Sequence, residues 1–133
     1  YIEKYILNLD FDTERLETLA ASLNALGYLL ICYGAKIDIY DIVTNNEVDT
    51  TSAEVTVLGQ LIIVIGYILL WIVSTRRVYA RVLRNEYLDE TNFVPSYKKL
   101  ETSYLLSIFA NLVRLEAFYE ILLNREHNSE DNE

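Results

Sequence analysis

The chain is short of the residues that chemistry most often needs. It holds one cysteine, one histidine, one proline and four glycines in 133 residues. With Cys32 alone, no intrachain disulfide can form. Flanked by Leu29, Leu30 and Ile31, it is expected to behave as a small buried hydrophobe rather than a reactive thiol. The only histidine, His127, stands in a polar tail, which leaves no plausible Ser–His or Cys–His pair for nucleophilic catalysis. No glycine-rich phosphate loop and no cysteine cluster occurs. The reading is therefore of a non-enzymatic chain with no catalytic, metal or cofactor-binding residues and no small-molecule substrate. Scarce proline and glycine beside 52 % apolar residues exclude a turn-rich β sandwich and a disordered chain. Basic residues are also few, 11 against 20 acids, and the net charge of −9 excludes nucleic acid as a partner. Tyr1–Asn8 lacks a basic leader followed by an apolar run and a small-residue cleavage site, so it does not read as an intact signal peptide.

What the chain has is helical pattern. Ile2, Tyr5, Ile6 and Leu9 form a stripe that predicts a short amphipathic helix over 2–9. Asp10 to Thr13 should interrupt it, with Asp12 capping a helix one over 13–35 and Gly34 stopping it. Thr18–Ala35 carries no charge and would extend about 27 Å as a helix, although Ser22 and Asn24 weaken it as a membrane span. Lys36–Thr50 is acidic, with the turn-forming pair Asn45-Asn46; Ile37, Ile39 and Tyr40 fit either an extension of helix one or a short extended piece. Thr51 and Glu54 read as a capping box opening helix two, 51–88. Within it Val55–Ser74 is uncharged, and Leu61–Val73 has no amphipathic period, so it must be buried on all sides. Arg76, Arg77, Arg81 and Arg84 follow. Pro95 opens helix three, 95–125, whose longest uncharged stretch, Thr102–Val113, is too short to span a bilayer alone. An acidic tail fills 126–133. Arg15-Leu16-Glu17-Thr18 resembles Lys99-Leu100-Glu101-Thr102, a weak match for an internal repeat.

Several residues stand out as candidate helix–helix or assembly contacts. Gly59 and Gly66, seven apart and joined by Ala53, would let another helix approach closely, and Gln60 would seek an interhelical hydrogen bond. Tyr67 and Trp71 sit near the basic end of the apolar run, where Arg76 and Arg77 could snorkel. Glu116 and Glu120 fall inside the apolar arc of Phe109, Leu112, Tyr119 and Leu123. They read either as a buried pair relieved by Arg76, Arg77 or Arg81, or as carboxylates reaching water. A metal at that pair is not expected, because no Glu-x-x-His accompanies it.

The expected fold is all-α, with three principal helices in antiparallel hairpins, a short N-terminal amphipathic helix and an apolar central helix. Helices one and three cannot cover helix two alone, so the chain is expected to be oligomeric or membrane-embedded, its partners being other copies of itself and a lipid bilayer. Six of the eleven basic residues lie between Arg76 and Lys99, whereas Lys36–Glu54 holds one Lys and five acids. In a membrane this places the Arg76–Lys99 side in the cytoplasm, with helix three along the cytoplasmic interface. The functional expectation is a small self-associating integral membrane protein, a pore former or an accessory subunit. The alternative is a structural subunit of a soluble or extracellular filament, tube or sheet, with helix two buried between protein subunits.

Overall fold

The computed structural model describes residues 1–47 and 49–131. These residues form three α-helices, α1 (Ile2–Val43), α2 (Thr50–Tyr87) and α3 (Val94–Asp131), and contain no strand. The chain divides into two compact units that share all three helices. One comprises Tyr1–Ser22 and Ile65–Ile108, the other Leu23–Val64 and Phe109–Glu133.

The separate helix over 2–9 is not present, because α1 runs unbroken from Ile2 to Val43. The expected break fails for a local reason. Thr13 donates its Oγ1 hydrogen to the carbonyl of Leu9 (2.7 Å), so its hydroxyl is satisfied inside the helix and the side chain can be buried. Gly34 does not stop the helix either. A Cβ there would lie 2.6 Å from Thr56 Oγ1 and 3.0 Å from the Ser52 carbonyl oxygen, so this glycine admits α2 instead. Ile37, Ile39 and Tyr40 extend α1. Its actual end is at Asn45, which takes a left-handed φ of 57°, and the Asn46 N–H reaches back to the Asp41 carbonyl (2.9 Å), closing the last turn.

The capping box at Thr51 is also replaced. Thr51 lies within α2, and Asp49 caps it: Oδ1 accepts the Thr50 N–H (2.6 Å) and Oδ2 accepts the Thr51 hydroxyl (3.1 Å). α3 continues past 125, taking up 126–131 of the expected tail, with His127 Nε2 3.3 Å from Asp131 one turn on; residues 132–133 lie outside the described residues.

Buried positions recur every seven residues. On α1 these are Ile6, Thr13, Ala20, Gly27 and Gly34; on α2 they are Ser52, Gly59, Gly66, Val73 and Ala80. Small side chains dominate both series, and they set how near two helix axes can come. In the second unit a Cβ on Gly59 would stand 2.6 Å from the Gly27 carbonyl oxygen, and one on Gly27 would stand 2.6 Å from that of Gly59. At these distances backbone packs on backbone. Cys32 is not part of this seam, and contrary to expectation it is exposed, because α1 turns Gly27, Ile31 and Gly34 inward instead.

Two outcomes follow. Gly59→Val must push α1 and α2 apart and should lower the unfolding free energy by about 1–3 kcal/mol. Ala25→Val, at an exposed position of α1, should stay within about 0.5 kcal/mol; chemical denaturation of the dispersed chain measures both. The Thr50 N–H, then the Thr51 hydroxyl, hold the Asp49 carboxyl below its ordinary value of 3.8. A depressed pKa contributes stability above that value and loses it as pH falls through the folded pKa. Hydrogen exchange at the Thr50 amide should therefore quicken, relative to the intrinsic rate, on acidification below pH 3.8; Asp49→Asn should flatten that dependence.

Candidate functional site

In the second unit, α3 is held to α2 by a buried pair of amides. Gln60 falls in the first third of α2's uncharged stretch and is fully buried. Its Nε2 carries two hydrogens, and the structure gives each an acceptor: the Asn111 carbonyl (3.0 Å) and Asn111 Oδ1 (2.9 Å). Arg114 Nη1 also donates to Asn111 Oδ1 (3.4 Å). A buried amide costs free energy unless its bonds are made, so this pair discriminates sharply between one placement of α3 on α2 and its neighbours. Gln60 was legible in the sequence and Asn111 was not, although Asn111 is the one amide within Thr102–Val113.

A second polar node in this unit joins all three helices. Ser52 Oγ donates to Asp38 Oδ1 (2.5 Å), and Arg125 Nη1 donates to Ser52 Oγ (2.8 Å), to Asp38 Oδ1 (3.5 Å) and to the Asp49 carbonyl (3.4 Å). Beside it lies an open cleft of about 430 Å³ with Asp41, Glu47, Asp49 and Arg125 in its wall. Among the described residues no group of three or more His, Cys, Asp or Glu could hold a metal ion. The arrangement is that of a clasp. Arg125 neutralises Asp38 and bonds the first turn of α2.

The first unit has a parallel set of ion pairs. Arg77 reaches Glu14 (2.8 Å) and Glu17 on α1. Arg84 meets Asp10 and Glu90. The Asp10 hydrogen bond raises the Arg84 pKa further, outweighing its partial burial, so this guanidinium is charged at every accessible pH. Arg81 stacks over Tyr97 at 5.2 Å, and the Tyr67 and Tyr104 rings are 6.4 Å apart.

The residues singled out in the sequence divide clearly. Gly59 and Gln60 are buried contact positions and Gly66 is buried; Trp71 and Arg77 are half-buried, and Arg76 is exposed. Glu116 and Glu120 are not a buried pair, since both are exposed. Glu116 edges a shallow groove with Val57, Leu61, Leu112, Leu115 and Tyr119. Arg77 cannot be their relief, because Glu14 and Glu17 already engage it. The sequence pattern passed over Gly27, Asp38, Ser52, Asn111 and Arg125, and read Gly34 only as a helix stop. The seven-residue spacing that links Gly27 and Gly34 to Ala20 and Thr13 was the available signal.

The largest feature is what stays uncovered. The most apolar eighteen-residue stretches of α1 and α2 have mean hydropathies of 1.4 and 2.4, yet only 17 % and 33 % of those residues are buried within the chain. Leu19, Leu26, Leu29 and Tyr33 on α1 and Leu58, Leu61, Ile65 and Ile68 on α2 are exposed. A core helix of a water-soluble fold would have most of such a stretch covered.

The amide pair yields a double-mutant test. Gln60→Leu alone strips Asn111 of a buried donor, and Asn111→Leu removes one of the two acceptors of Gln60, leaving it the main-chain carbonyl of residue 111; each should cost about 1–3 kcal/mol. The double variant Gln60→Leu with Asn111→Leu should regain a large part of that loss, as measured by denaturation midpoints. Comparison with known proteins finds no matching family, no matching curated relative and no matching solved structure.

Proposed function

We propose that this chain is a small, non-enzymatic α-helical integral membrane protein that self-associates, with α1 and α2 crossing the bilayer as an antiparallel hairpin. The observation that carries the reading is the low burial of the two most apolar stretches, 17 % and 33 %. Both helices exceed the roughly 20 residues that a hydrocarbon core requires, and lipid is a medium that rewards an apolar outer face. The hairpin draws support from the order of contacts in the second unit, where Gly27 meets Gly59 and Gly34 meets Ser52, one sequence rising as the other falls. The excess of basic residues over Arg76–Lys99 sets that end in the cytoplasm and the acidic connection between α1 and α2 outside.

α3 does not suit an interfacial position away from α2, because Gln60 and Ser52 of α2 bond Asn111 and Arg125 of α3. Its outer face mixes exposed Phe109, Leu112 and Tyr119 with exposed Glu116 and Glu120. Such a face is costly in hydrocarbon, and a second copy of the chain covers it at lower cost. The same charges favour the other reading, a subunit of a lipid-free helical assembly.

Alkaline carbonate extraction separates the two readings. The membrane protein stays with the bilayer at high pH and needs detergent to disperse. Release into solution as large particles without detergent would sink the membrane reading and leave the lipid-free assembly.

A further inference from the structure

The arginines of this chain are unequally partnered. Arg77, Arg84 and Arg125 each engage a carboxylate, Arg81 covers the Tyr97 ring and Arg114 bonds Asn111. Arg76 has no ion pair or hydrogen bond among the described residues, and Arg15 only leans over the Phe11 ring at 5.8 Å. These two exposed guanidinium groups belong to the same groove in the first unit. It measures about 470 Å³ and is lined by Asp12, Arg15, Leu16, Leu19 and Arg76. Both cations also stand where the charge pattern changes. Arg15 precedes the uncharged stretch of α1 that starts at Thr18, and Arg76 is the first charge after the uncharged stretch of α2.

We propose that Arg15 and Arg76 bind the phosphate of an anionic phospholipid, with part of an acyl chain lying against Leu16 and Leu19. The inference rests on the membrane reading above and specifies the lipid that this reading leaves open. Two planar guanidinium forks match phosphate oxygens bidentately, and unpaired arginines at the edge of an apolar surface are placed where headgroup phosphates lie. Asp12 shares the groove and reduces its net charge to +1. That balance suits a phosphodiester with one negative charge better than free phosphate, which carries more charge and has no use for the leucine wall. Arg77, one residue away, is not available for this role, since Glu14 and Glu17 hold it.

The chain has one tryptophan, and Trp71 lies five residues before Arg76 on α2, about 7.5 Å along the helix axis. It therefore reports on lipid near the groove. The purified full chain is reconstituted in phosphatidylcholine vesicles containing a minor fraction of brominated lipid, either phosphatidylcholine or phosphatidylglycerol, and quenching of Trp71 is compared. Quenching by brominated phosphatidylcholine tests the membrane reading by itself, and its absence would overturn that reading. The proposal expects stronger quenching by the phosphatidylglycerol. The preference should fall about fivefold for each of Arg15→Gln and Arg76→Gln, the ratio that ~1 kcal/mol per basic residue gives. Asp12→Asn should strengthen the preference, a gain that a misfolded variant would not produce. Lys98→Gln with Lys99→Gln, on exposed positions outside the groove, should leave it unchanged. Equal quenching by the two lipids would overturn the proposal while the membrane reading stands. So would a preference that survives both arginine substitutions, or one abolished by inorganic phosphate at matched ionic strength.

Discussion

Everything in the second unit depends on how closely α1 and α2 approach at Gly27 and Gly59. With each glycine's missing Cβ position 2.6 Å from the other's carbonyl oxygen, backbone meets backbone, and Ile63 and Ile31 pack against the space that the absent side chains leave. Other large residues on the two helices face outward. The same small-residue spacing that joins the helices therefore leaves Leu26, Leu29, Leu58 and Leu61 exposed. In a water-soluble bundle, large residues fill the interior and small ones serve the surface equally well. Here small residues share the interior with Ile63 and Val64, while Leu26, Leu29, Leu58 and Leu61 stay outside.

α3 is attached on different terms. Its buried residues are few, Asn111 and Leu122, and its polar links to α2 in this unit are directional: amide to amide at Gln60, guanidinium to hydroxyl at Ser52. Directional bonds tolerate little displacement, so they determine where α3 sits even where they add little net stability. The first unit shows the same division of labour, with small or β-branched seam residues Ala20, Gly66, Val73 and Ala80 inside and the Arg77 and Arg84 ion pairs toward its margin.

The all-helical character, the approximate limits of α2 and the exceptional status of Gly59 and Gln60 were legible in the sequence, because an unbroken uncharged stretch and a lone amide are local signals. The misreadings were also local. Asp10-Phe11-Asp12-Thr13 resembles a helix start and Gly34 a helix stop, but burial at intervals of seven carries α1 through both. Thr51 offers a capping box, but the carboxylate two residues earlier competes better for the first turn. Glu116 and Glu120 appeared within an apolar arc that the chain itself leaves uncovered, so their exposure follows from the same cause as that of Phe109 and Leu112. Partners such as Asn111 for Gln60, or Arg125 for Ser52, are separated by 51 and 73 residues, and no periodicity within one helix encodes them.

The 51-residue separation also has a meaning in time. During synthesis, at about 5–20 residues per second, Gln60 emerges several seconds before Asn111 exists. α1 and α2 can close their glycine seam in that interval, since every residue of the seam has already been made. Gln60, on the flank of that seam, must meanwhile keep its amide hydrogens bonded to water or to a passing partner. The order of synthesis thus presents α1 and α2 to each other before α3 exists, and Asn111 is the last member of the buried amide pair to be made.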